Sequence, residues 1–303
     1  MTTTTGTGTG TIATPAAVGA PCISYLTVAD VRAAFGDDVA EMTDSQITRR
    51  IDQLVATLED ALGHTFGRAL IASSTAADTL IVTEDTLTVG GDGYAFADYA
   101  TLGALVAAVN GAGQDYSLEL LPQVNPSTPS TYLKTLAATI IGADYEDRAV
   151  LCLSALWVQL SGGGTTHLFL PLPLQSVTAV TENATSLTSS YWAIAGENWL
   201  TRKCCDCLSD SYCRHPRGRW SNSYPGNIAV AYVPMGWGRA PRSLSTMLLE
   251  AFGLQAGVGD GNLQSESFGG AYSYSRRKGS TQGGWQDALG GATVRQYAIK
   301  WQP

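Results

Sequence analysis

Residues Thr43-Asp44-Ser45-Gln46-Ile47-Thr48-Arg49-Arg50-Ile51-Asp52-Gln53-Leu54-Val55-Ala56-Thr57-Leu58-Glu59-Asp60-Ala61-Leu62-Gly63-His64-Thr65-Phe66 carry the clearest helical signature in the chain. Thr43 and Gln46 have the spacing of a capping box, in which each side chain satisfies the other residue's backbone amide. Ile47, Ile51, Leu54, Leu58, Leu62 and Phe66 then recur at the period that lines up one face of a helix. Arg49, Arg50, Asp52, Glu59 and Asp60 fall on the other face, so the pattern predicts a helix that packs on one side only. Gly63 or Gly67 can end it, because glycine adopts the left-handed conformation that closes a helix.

Working outward, Tyr25-Leu26 leads into Thr27, a helix cap with Asp30 at the positive helix end, and Val28, Val31 and Phe35 supply a short apolar face stopped by Gly36. Far along the chain, Pro241 sits where helices accept proline, and Leu244, Met247, Leu248, Ala251 and Leu254 form a second face. Between these helices, from Leu80 to about Tyr232, short β-rich runs are broken by Gly, Pro, Asn and Ser. Within that region Thr101–Val109 reads as a brief helix ended by Asn110-Gly111, flanked by strands near 79–89 and 116–121. Residues 150–160 and 166–170 flank Ser161-Gly162-Gly163-Gly164, most simply a hairpin, with a buried helix as the alternative for the first run. Further strands are expected at 176–181, 191–195 and 228–233.

The expected fold is therefore α+β: a small helical core, a long inserted β-rich region, and extended N- and C-terminal arms. Its divisions are an arm at 1–21, the first part of the helical core at 22–78, the inserted β-rich subdomain at 79–175, strands and a hairpin at 176–240, the closing helix at 241–260, and a second arm at 261–303. Both arms lack periodicity. The first is almost entirely Thr, Gly, Ala, Ile, Val and Pro, and the second is rich in Gly, Ser, Gln and Tyr.

Composition narrows the function. Of 303 residues 45% are apolar and only 15% charged, so many surface positions must be Thr, Ser, Gly or Ala, which suits contact with other subunits. The net charge of -8 argues against a protein that grips nucleic-acid phosphates over its whole surface. No apolar run approaches the roughly 18 residues of a membrane span, and the first residues lack the pattern of a signal peptide, so a chain made in a cytoplasm, with no membrane partner, is expected. Six cysteines are too few for a disulfide scaffold of this size, and four of them fall between Cys204 and Cys213.

With these elements placed, the chain resembles the head-to-tail adaptor, or connector, proteins of tailed bacteriophages and related gene transfer agents. The likeness rests on Tyr25-Leu26-Thr27, the Thr43–Phe66 helix with Gly67-Arg68, Leu170-Pro171-Leu172-Pro173-Leu174-Gln175-Ser176-Val177, the run Ile228-Ala229-Val230-Ala231-Tyr232 leading to Gly236 and Pro241, and Phe268-Gly269-Gly270-Ala271-Tyr272-Ser273-Tyr274-Ser275. The order of these pieces carries the weight, and residues 80–168 depart from the smaller members. The resemblance implies a structural virion protein, forming a ring of about twelve copies beneath the portal protein and presenting a platform to the next neck or tail protein. Genomic DNA would pass through the ring without sequence-specific binding, and a net acidic wall would let it slide. The family's C-terminal arm commonly docks on the portal, which makes Tyr272, Tyr274, Arg276, Arg277 and Lys278 the implied portal-binding residues. The place implied is the virion neck, after synthesis in the host bacterial cytoplasm.

Several residues invite a chemical reading of their own. Cys204 and Cys207 have a C-x-x-C spacing, and Cys213 with His215 can complete four ligands for tetrahedral zinc; the alternative is a cluster of free thiols, or a disulfide formed after cell lysis, with no cofactor. Arg202, Lys203, Arg214, Arg217 and Arg219 lie among Trp199, Tyr212 and Trp220, a mixture that suits a subunit contact or a charged hairpin in solvent. His64, His167 and His215 lie in separate segments with no nucleophile in a recognisable motif, and the paired acids Asp37-Asp38, Glu59-Asp60 and Glu146-Asp147 have no acid–base spacing, so no enzyme is expected. The alternative from another class is a tail-associated carbohydrate-binding or hydrolytic protein, suggested by the strands and by Trp192, Trp199, Trp220 and Trp237 as exposed aromatics.

Overall fold

The computed structural model describes residues 25–203, 218–235, 237 and 242–257, and the fold is α+β. Helix α1, Val28–Phe35, opens on a complete capping box, with the Asp30 amide donating to Thr27 Oγ1 at 3.1 Å and the Thr27 amide donating to the Asp30 carboxylate at 2.9 Å. Helix α2, Asp44–Leu62, opens the same way through Thr43 and Gln46 and ends at Gly63, whose left-handed backbone (φ 72°) lets its amide reach the Glu59 carbonyl at 2.9 Å.

The buried stripe of α2 is Ile47, Ile51, Leu54, Val55, Leu58, Glu59 and Leu62. It packs with Tyr25, Leu26, Val31, Val39 and Phe66, and also with Leu244, Met247, Leu248, Ala251 and Phe252 of a helix near the other end of the chain, Arg242–Ala256. Phe35 stacks on Phe252 with ring centroids 6.0 Å apart. The expected face of this last helix is corrected at one position. The row Leu244, Leu248, Phe252 follows the four-residue ridge of a helix, so Phe252 is buried, whereas Leu254 is 41% exposed.

Two β units lie between these helices. In the first, β1 (Arg68–Ser74) is the centre of an antiparallel sheet, flanked by β5 (Tyr116–Leu120) and β7 (Ala149–Cys152). A second sheet runs β4-β3-β2-β6, from Asp92–Ala95, Thr86–Val89, Asp78–Val82 and Leu136–Ile141. Helix α3, Leu102–Gly111, is capped by Thr101 and tied to β5 by the Asn110 side chain, which donates to the Leu118 carbonyl and accepts from its amide, both at 2.9 Å. One core, from Ala69 to Leu153, joins both sheets and α3. The helix near the other end is therefore α4 in chain order.

The second unit holds a sheet of β11 (Thr185–Ser186), β10 (Leu174–Glu182), β14 (Ile228–Pro234) and β8 (Leu156–Leu160), and a smaller one of β12 (Trp192–Gly196), β13 (Trp199–Arg202) and β9 (His167–Phe169). The hairpin expected across Ser161–Gly164 is not formed. The run 150–160 is two strands, β7 and β8, and β8 pairs with β14 while β9 pairs with β13. Gly162 lies so close to the Ser221 carbonyl and the Ile228 side chain that a Cβ would meet them at 2.2 and 2.7 Å; the glycine loop sends the chain from one sheet to the other.

Candidate functional site

The junction between the helical core and the first β unit is a buried polar contact. Tyr25 Oη donates to Glu59 Oε1 at 3.0 Å, and Arg68 Nη1, from the first residue of β1, lies 3.3 Å from the same oxygen. Glu59 is 1% exposed and Arg68 7%. The expectation that Glu59 belongs to the solvated face of α2 is thus overturned. It falls four residues after Val55 and three before Leu62, both buried, and that spacing is the signal that could have found it. Burial pushes its carboxyl up to about 7, against the opposing pull of Arg68. Burial likewise raises the Tyr25 hydroxyl. His64 is buried beside this junction, edge-on to Phe66 at 4.3 Å, as a packing residue.

A groove of about 330 Å³ opens where the end of α2, the 122–128 loop and β8 meet, lined by Trp157 and Trp237 with Gln123, Asn125 and Gln159. Trp237 donates through Nε1 to the Leu153 carbonyl at 3.1 Å and rests on Gly67, whose φ of 116° and lack of a Cβ permit the approach.

Around residues 204–217 the described flanks are held by one carboxylate. Glu182 accepts from Arg202 Nε and Nη2 at 3.2 and 3.0 Å, and from the Ser221 amide at 2.6 Å. Arg202 lies over the rings of Tyr191 and Trp220 at 5.3 and 5.7 Å. The cation is engaged within the fold. Trp220 is 1% exposed, which corrects its expected place among exposed tryptophans; Trp192, Trp199 and Trp237 are half-buried. The outer face of β9 and β13 carries Phe169, exposed and edge-on to Trp199 at 5.2 Å, with His167 5.6 Å from the same indole.

A polar recess of about 220 Å³ lies between α2 and the ends of β1 and β5, lined by Arg49, Ser73, Asp115, Ser117, Asp144, Tyr145 and Arg148 among others. The guanidiniums of Arg49 and Arg148 lie 5.1 and 4.3 Å from the centre of the Tyr145 ring, and the Asp52 carboxylate is near its hydroxyl. Burial and Asp52 push that hydroxyl up to about 12. No sequence signal links Tyr145 and Arg148 to Arg49, since only the fold brings them together.

The residues implied for portal docking, Tyr272, Tyr274, Arg276, Arg277 and Lys278, and the candidate zinc ligands, Cys204, Cys207, Cys213 and His215, lie outside the described residues. Among the described residues, no helix is long and apolar enough to cross a membrane. No protein-family model, no curated protein and no solved structure matches the chain.

Proposed function

We propose that this chain is a structural protein of a tailed-phage particle, a head-to-tail adaptor that forms a ring of about twelve copies between the portal and the next neck or tail protein. Genomic DNA passes through the ring without sequence-specific binding, and the chain is made in the host cytoplasm before it joins the virion neck. Its work is geometric rather than catalytic. The observation that supports this reading most is the shared core of Tyr25 with Leu244, Leu248 and Phe252: the two ends of the described chain meet in one small helical unit, and the β units lie between them in sequence. An adaptor needs such a shared core, which ties distant parts of the chain into one rigid unit. The C-terminal arm is the portal contact in this reading, through Tyr272, Tyr274, Arg276, Arg277 and Lys278.

Quantitative mass spectrometry of purified particles tests the assignment. A molar ratio to portal protein near one is expected; absence from particles, or abundance like that of a major capsid or tail-tube protein, overturns it. Deleting residues 265–303 is expected to abolish portal binding in a pull-down.

The groove beside Trp157 and Trp237 favours one second reading, because indoles with nearby amides are chemistry that holds a sugar ring. Binding on a glycan array, lost in Trp157→Ala, would favour a tail-associated carbohydrate-binding protein instead.

A further inference from the structure

We infer that Arg49, Tyr145 and Arg148 form a carboxylate-binding fork, and that its occupant is the acidic turn Glu84-Asp85 of a second copy of this chain. The inference rests on the ring reading for its partner, but its geometry stands apart. Tyr145 is half-buried, and the guanidiniums of Arg49 and Arg148 both lie against its ring. Arginines held in place by an aromatic ring lose less freedom when they bind, which is why such groups anchor interfaces. Neither arginine of the fork takes part in the ion pairs formed among the described side chains, Arg32–Asp44, Arg68–Glu59 and Arg202–Glu182. Ser73 and Ser117, whose hydroxyls are 3.1 Å apart, add hydrogen-bonding groups to the wall.

The other charged lining groups choose between occupants. Asp115 and Asp144 are solvent-exposed and screened, as is Arg49, whereas Arg148 is half-buried and screened less. A single carboxylate can approach the guanidiniums and avoid the two rim acids. A nucleic-acid backbone, with a charge every ~1.7 Å of duplex axis, would set further phosphates against them. The recess, about 220 Å³, has the size of one or two side chains.

The chain itself carries a fitting donor. Glu84 and Asp85 are exposed at the turn between β2 and β3. Ser74, in the recess wall, hydrogen-bonds Asp78 at the start of β2. The turn lies at the other end of that strand, roughly 20 Å away at the usual rise per residue. Socket and acidic tip therefore belong to neighbouring sheets, the socket at the ends of β1 and β5 and the tip at the far end of β2, so they are two different patches of the same chain. A contact between them is head-to-tail, the type that closes into rings.

Self-association of the full chain, followed by native mass spectrometry and sedimentation across concentration and salt, tests this. The variants are R49E/R148E, E84R/D85R, their equimolar mixture, and the chain carrying all four changes. Each reversal alone is expected to weaken association by at least ~tenfold, and the mixture and the fourfold variant to regain it, because opposite charges again meet. Circular dichroism establishes that each variant is folded. Folded reversals that assemble like the parent overturn the proposal. If the parent stays monomeric at every concentration, titration with glutarate, followed on the side-chain NH signals of Arg49 and Arg148, decides. Shifts lost in R148A keep the carboxylate site and overturn the second copy as its occupant, whereas no shift overturns both. The particle stoichiometry of the adaptor reading is measured separately, so the two can fail independently.

Discussion

Glu59 is the residue whose environment differs most from its chemistry. A carboxyl at 1% exposure is tolerable because Tyr25 donates to it and Arg68 lies beside it. Its folded-state pKa of about 7 stands above the ordinary 4.5, so the folded protein holds this proton more tightly than the unfolded chain. The stabilisation from Glu59 is then fully present below about pH 4.5 and is lost as pH rises through about 7. In urea titrations the parent is expected to lose stability between pH 5 and pH 8 relative to Glu59→Gln, which keeps an acceptor for Tyr25 and Arg68 but cannot ionise. Midpoints of the two proteins that move in parallel over this range would show that Glu59 does not titrate there.

At the scale of elements, helix ends and strand pairings were unequally legible. The capping boxes at Thr27 and Thr43 use neighbours three residues apart, so short-range sequence suffices to specify them. Replacing Thr43 by Ala is expected to cost about 1 kcal/mol in chemical denaturation, with Thr57→Ala, half-buried in the interior of the same helix, costing less. The glycine loop at 161–164 misled because a short glycine-rich link between two apolar runs is the usual mark of a hairpin. Here the close packing of Gly162 against Ser221 and Ile228 diverts the chain, and those partners lie more than fifty residues away in sequence. The small β9–β13–β12 sheet was equally hidden in its pairing, since the partners of His167–Phe169 are Trp199–Thr201.

For the whole molecule, the closing helix makes the helical core depend on the far end of the chain. A chain stopped before Arg242 leaves Ile47, Leu54, Leu58 and Val31 without Leu244, Leu248 and Phe252 against them, and each buried side chain of this size is worth about 1.5–3 kcal/mol. Such a chain is expected to lose helical ellipticity beyond that of the 15 residues of α4, and to bind an apolar dye that the full chain does not. Unchanged ellipticity per remaining residue would show that α1 and α2 hold their own core. By itself the sequence determined the helix starts, the apolar stripe of α2, most strand positions and the α+β class, because these depend on side chains a few residues apart. Only the tertiary structure decided that Phe252 rather than Leu254 is buried, that Glu59 meets Tyr25 and Arg68, which strands pair, and that Arg49 meets Tyr145 and Arg148. These depend on groups far apart in sequence, whose contacts exist once burial and loop closure have brought the elements together.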